Sequence, residues 1–74
     1  MPTMDMDTIA AIGLSPRELD VLRLIAQRWT DPEIAEALFV SPRTVNAHVR
    51  SIFSKLEVAN RREAAALATR LGLT

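Results

Sequence analysis

Apolar residues recur along this chain at helical spacing. Leu19, Leu22 and Ile25 lie three apart, Ile34 and Leu38 four apart, and Val45, Val49, Ile52 and Leu56 three or four apart. That period places each set on one face of an amphipathic helix. No stretch alternates as a half-buried strand does, so no sheet is predicted.

Polar punctuation marks where the helices begin. Ser15-Pro16-Arg17-Glu18, Thr30-Asp31-Pro32-Glu33 and Asn60-Arg61-Arg62-Glu63 each read as a capping box. Such a box has a cap side chain that accepts an orphan amide and a glutamate that reaches back to the cap's own amide. Ser41-Pro42-Arg43-Thr44 has the cap and the proline, with threonine in the glutamate's place. Leu14 with Leu19, Trp29 with Ile34, and Val40 with Val45 are spaced as hydrophobic staples across three of these starts. The staple is the plainer reading of Trp29, because a ligand-stacking surface needs more than the three aromatics this chain has.

These signals predict four helices, about Pro16–Arg28, Asp31–Leu38, Pro42–Leu56 and Arg61–Leu71, with Gly72 ending the last. The fold class is all-α, a four-helix domain containing a helix-turn-helix. Residues 1–13 show little periodicity and read as a flexible leader or linker remnant; residues 14–74 form the domain.

On a wheel of 100° per residue, Val45, Val49, Ile52 and Leu56 fall within about 40° of one line, with Phe53 at its margin. This stripe is expected to pack on Leu19, Leu22, Ile25, Ile34 and Leu38. The opposite face carries Arg43, Ala47, Arg50 and Ser54, flanked by Asn46 and Ser51. No acid lies between Pro42 and Leu56. Arginine reaches guanine edges or phosphates, asparagine pairs with adenine, and alanine allows close approach or meets a thymine methyl. Only Phe39, Val40 and Ser41 separate this helix from the one before, as in a helix-turn-helix. The plain polar face of a four-helix bundle is the alternative that pattern alone leaves open. His48, about 60° from the stripe, reads as half-buried, with packing favoured over a phosphate contact.

The net charge is zero, but the charges are unevenly distributed along the chain. Residues 1–40 carry three basic and seven acidic side chains, a balance of −4. Residues 41–62 carry five basic side chains against Glu57 alone, a balance of +4. A polyanion responds to that local excess, not to the sum.

Other chemistry finds little support. The chain has no cysteine, and His48 is its one histidine, so neither a disulfide nor a metal site is expected. Asp31, Glu33 and Glu36 form an acidic run in which a catalytic pair is conceivable. Glu33 is already explained as a capping residue, and no nucleophile with a base or glycine-rich phosphate loop accompanies it. No enzyme, catalytic residue or cofactor is expected. Neither a signal peptide nor a membrane-length apolar run is found, and a cytoplasmic location is expected.

Leu14-Ser15-Pro16-Arg17-Glu18, Val21-Leu22, Glu33-Ile34-Ala35, Leu38, Ser41, Thr44-Val45, His48-Val49, Ile52, Lys55-Leu56, Val58, Arg62 and Ala64 together closely resemble the LuxR-type helix-turn-helix domain. That domain also forms the output half of FixJ- and NarL-like response regulators. The resemblance covers residues 14–73. It implies a bacterial transcription regulator whose third helix enters the major groove of double-stranded DNA, as a homodimer on an inverted or pseudo-inverted repeat. By position it implies a helix-turn-helix unit from Asp31 to Arg50, with Asn46, Ala47 and Arg50 toward base edges. Arg43, Thr44 and Lys55 fall at positions near phosphates. RNA polymerase is a further candidate partner.

The last helix often forms the dimer contact in this family. Here it holds Ala64, Ala65 and Ala66 in a row, expected to give one smooth face for the core and one for a partner. Ala65, Leu67, Ala68 and Leu71 are the candidate dimer residues. The chain departs from the family in three places: Asn46 stands where lysine is usual, and Arg28 and Glu57 where glycine is common. Arg28 is expected to extend the first helix slightly, and Glu57 to end the third at a cost of ~1 kcal/mol. An interaction module that kept the fold and lost DNA binding is the other functional class consistent with zero net charge and Asn46.

Overall fold

The computed structural model describes residues 13–73. The expected leader, apart from Gly13, lies outside the described residues. Four helices follow: α1 (Pro16–Ala26), α2 (Asp31–Leu38), α3 (Pro42–Leu56) and α4 (Arg61–Arg70). No strand occurs among the described residues.

The helix starts follow the cap chemistry. Ser15 Oγ accepts the Glu18 amide while Glu18 Oε1 accepts the Ser15 amide. Thr30 and Glu33 make the same reciprocal pair. Ser41 Oγ accepts the Thr44 amide at 3.1 Å and lies 3.0 Å from the Thr44 hydroxyl. The fourth box departs from expectation. Asn60 Oδ1 accepts the Glu63 amide, but Glu63 Oε1 takes the amide of Ala59 instead of Asn60.

The helix ends share one device. In each, a residue of positive φ follows the helix: Arg28, Phe39, Glu57 and Gly72. The next residue's amide then reaches back five positions, joining Trp29 to Leu24, Val40 to Ala35, Val58 to Phe53 and Leu73 to Ala68 at 2.9–3.1 Å. This paired arrangement satisfies the last free carbonyls and turns an apolar residue inward. Trp29, Val40, Val58 and Leu73 all pack on the core.

Arg28 therefore does the opposite of what was expected. It does not lengthen α1, which ends at Ala26; it takes φ +69° and closes the helix. Glu57, at φ +55°, ends α3 without glycine. A side chain costs roughly 1 kcal/mol in this conformation, and three of the four ends bear that strain.

α1 packs against both α3 and α4, and α2 packs against α3. Val21, Leu22 and Ile25 of α1 meet Ile34 and Ala35 of α2, Val45, Val49 and Ile52 of α3, and Ala64, Ala65 and Ala68 of α4 in one core. Leu19, Leu38, Phe53 and Leu56 pack around it, partly buried. The α4 expectation needs correcting here. Ala65 is 4% exposed and Ala68 0%, so both belong to the core and present no smooth face to a partner. Close packing of α4 on α1 has used the small side chains. Leu67 and Leu71 are half-buried, and Ala66 is exposed.

Candidate nucleic-acid interface

α3 buries one stripe and exposes the other, so the site is the by-product of core packing. Burial of Val45, Val49 and Ile52 fixes the rotation of the helix about its axis. Arg43, Asn46, Ala47, Arg50 and Ser54 are then all exposed. Thr44 is exposed too, with its amide and hydroxyl engaged by the Ser41 cap. Ser51 and His48 are half-buried at the margins of the strip. Among the described residues, neither Arg43 nor Arg50 takes part in an ion pair. Unpaired guanidiniums on a face without acids give an outward positive potential.

Lys55 has a different setting from Arg43 and Arg50. Its Nζ lies 2.6 Å from Oε1 of Glu18, with the lysine side chain 36% exposed and the glutamate 6%. The same oxygen accepts the Ser15 amide. Burial by itself raises the pKa of Glu18. Hydrogen bonds from the Lys55 ammonium and the Ser15 amide, with the positive charge of Lys55, outweigh it and hold the carboxyl at about 2 instead of the ordinary 4.5. The candidate phosphate contact Lys55 is thus also a strut between the start of α1 and the last turn of α3.

A second strut holds the helix-turn-helix to α4. Arg61 Nη1 lies 2.6 Å from Oδ1 of Asp31, and Nη2 donates to the Trp29 carbonyl at 2.7 Å. One guanidinium therefore ties the start of α4 to both the α1–α2 connection and the start of α2. Two of the five basic residues of the positive segment are consumed in this way, Lys55 and Arg61. Sequence reading missed both links, since the partners stand 37 and 30 residues apart. The one hint was that the acids lie in the first part of the chain and the bases in the second.

In the acidic run, Asp31 is held by Arg61 and Glu33 by Thr30, while Glu36 is exposed. Hydrogen bonds from the Thr30 amide and hydroxyl lower the Glu33 pKa below its ordinary value. Each contact serves structure. No helix of the described residues is long and apolar enough to cross a membrane.

Known proteins share much of this sequence. A family model described as bacterial regulatory proteins, luxR family, matches residues 13–68. The chain is 47% identical over 58 residues to the transcriptional regulatory protein LiaR of Bacillus subtilis (strain 168), covering 78% of this chain and 28% of that protein. It is 48% identical over 60 residues to the uncharacterized transcriptional regulatory protein YhcZ of the same organism, covering 81% of this chain and 28% of that one. To the response regulator protein VraR of Staphylococcus aureus (strain NCTC 8325 / PS 47) it is 45% identical over 51 residues, covering 69% and 24%. The chain spans about a quarter of the length of these curated relatives.

Proposed function

The chain belongs to the luxR family of bacterial regulatory proteins, and from that premise we propose that it is the DNA-reading unit of a transcription regulator, with α3 in the major groove. The observation that carries this reading is the exposed strip on α3. Arg43, Asn46, Ala47, Arg50 and Ser54 share one acid-free side with two unpaired guanidiniums.

The roles follow from side-chain chemistry and position. Arg50 lies about 140° from the apolar stripe, one turn beyond Asn46 and Ala47. Its two-pronged donor matches the paired acceptors of guanine, and Asn46 matches adenine. Ala47 leaves room for the helix to approach. Arg43 and Thr44, in the first turn of α3, and Lys55, in its last, serve phosphates. The helix-turn-helix unit runs from Asp31 to Arg50. Binding as a dimer on an inverted repeat matches a single recognition helix per chain, because two half-sites multiply a small contact. The last helix is the proposed dimer contact. Its accessible contributors are Leu67, Leu71 and Ala66, while Ala65 and Ala68 support it from within the core. Contact with RNA polymerase and a cytoplasmic location accompany this role, and no catalytic step is assigned.

Arg50→Ala tests the assignment. A base contact there is worth ~1–3 kcal/mol in discrimination. The variant is expected to lose preference at one base position per half-site in a selection on randomised duplexes. Its melting temperature should stay near that of the parent protein, since Arg50 packs on nothing in the core. Unchanged base preferences with a uniform loss of affinity would make Arg50 a phosphate clamp. Failure of the parent protein to bind any duplex at low salt would favour an interaction module instead.

A further inference from the structure

Trp29 sits on a divide between two oppositely charged clefts. On one side, a cleft of about 330 Å³ is lined by Arg28, Arg61 and Arg62, with Ile25 and Ala65 at its base. On the other, a cleft of about 340 Å³ is lined by Glu33, Glu36 and Ala37. Trp29 lines both. No residue of α3 lines either cleft, so the surface is distinct from the recognition strip.

The charges here are only partly spent within the chain. Arg61 is held by Asp31 and the Trp29 carbonyl. Arg28, Arg62 and Glu36 are exposed and enter no ion pair among the described residues. The helix-closing conformation of Arg28 fixes where its guanidinium stem leaves the backbone. The patch thus has an aromatic centre, an outward basic side and an outward acidic side.

We propose that this face docks a second copy of the chain about a two-fold axis along the Trp29 divide. Such an axis sets each point of the patch against the point reflected across the divide in the partner. The basic cleft of one copy then faces the acidic cleft of the other, twice, with the two Trp29 rings between. An isologous contact requires this self-complementarity, and an acidic or basic patch alone does not have it. A nucleic acid would meet the glutamates as well as the arginines, and a purely basic or acidic partner would be repelled by one side. The patch is small, so the association is weak and salt-sensitive. The basic cleft takes in Arg61, Arg62 and Ala65 from the first half of α4, whereas Ala66, Leu67 and Leu71 of the proposed dimer contact line neither cleft, so the two contacts together would join DNA-bound dimers side by side.

Sedimentation of the 74-residue chain tests this with charge exchange. At about 0.01 M salt, where the screening length is ~30 Å, the chain self-associates; at about 1 M, with ~3 Å, it does so less. Arg28→Glu and Glu36→Arg each weaken self-association at least about ten-fold, because each sets like charges opposite one another. Mixing these two variants restores association, as does placing both substitutions in one chain, since either arrangement again opposes unlike charges. Arg62→Glu provides a second reversal on a helix of ordinary geometry should Arg28→Glu not fold. Association that passes unchanged through every variant overturns the proposal and assigns self-contact elsewhere. So does a parent chain that stays monomeric at low salt, a double exchange that does not recover, or an Arg28→Glu variant that loses only duplex binding.

Discussion

Oε1 of Glu18 accepts both the Ser15 amide at 2.8 Å and the Lys55 ammonium at 2.6 Å, so one oxygen caps α1 and fastens α3. Its pKa near 2, against an ordinary 4.5, carries a direction in pH. The folded state holds the ionised form more tightly than the unfolded chain does. The resulting stability is present in full above about 4.5 and is lost as pH falls from there toward 2. Its size is on the order of 3 kcal/mol at most, because the exposed Lys55 side of the pair is screened by solvent. Urea unfolding at several pH values is the measurement. Glu18→Gln is expected to be less stable at neutral pH and to show a flatter profile across that window. A parallel pair of profiles would remove Glu18 as the titrating group.

Phe39 offers a second test at the same scale. It stands at φ +57° and is 95% exposed, so it holds a strained backbone without packing in return. Phe39→Gly relieves the strain and also frees the unfolded chain, and the net gain is expected to be about 0.5–1 kcal/mol. Thermal melts read it directly. A loss of stability would show that the ring makes a contact in solution. Sequence placed Phe39 in a turn, but not in a left-handed conformation, because tertiary packing of Val40 decided where the α2 end had to close.

Among the elements, α4 shows how packing selects a face that composition leaves open. Three successive alanines gave no reason to prefer one side. Close approach to α1 buried Ala64, Ala65 and Ala68 and left Ala66 outside. Ala68→Leu is therefore expected to cost about 1–3 kcal/mol by overpacking, whereas Ala66→Leu should stay within about 0.5 kcal/mol. Both substitutions keep a strong helix former, so chemical denaturation of the two isolates packing from propensity. Equal effects would mean that α4 is rotated from the position described. α3 needed no such decision: its apolar stripe was distinctive enough to fix which side faces out.

For the molecule as a whole, the charge distribution counts for more than the zero sum. Arg43 has no ion-pair partner among the described residues, while the Lys55 ammonium is already engaged by Glu18, so a proposed phosphate contact at Lys55 has to share it. If both contacts form, the logarithm of affinity should fall against the logarithm of salt with a slope of about −2 per chain. Arg43→Ala and Lys55→Ala should each make it shallower by about one unit. The two differ in a second readout. Lys55→Ala also lowers the melting temperature, since Glu18 keeps its charge in a buried setting, and Arg43→Ala does not. An unchanged slope for Lys55→Ala would leave that residue as a strut alone.

Features under local physical control were legible along the chain. Cap residues and prolines set the helix starts, the 3.6-residue period set the buried stripe of α3, and the complement of that stripe named Arg43, Asn46, Ala47 and Arg50 as the outward strip. These signals act within a few residues, so they are legible along the chain. The partners of Glu18 and Asp31, the inward face of α4, and the early end of α1 at Ala26, closed by Arg28, came from tertiary packing. The first two depend on which side chains the packed helices bring together from positions 37 and 30 residues apart. The third depends on distance between helix axes. The last depends on Trp29, whose packing against the core, partly buried, with its amide bonded to the Leu24 carbonyl, requires a left-handed residue before it whatever that residue's own preference.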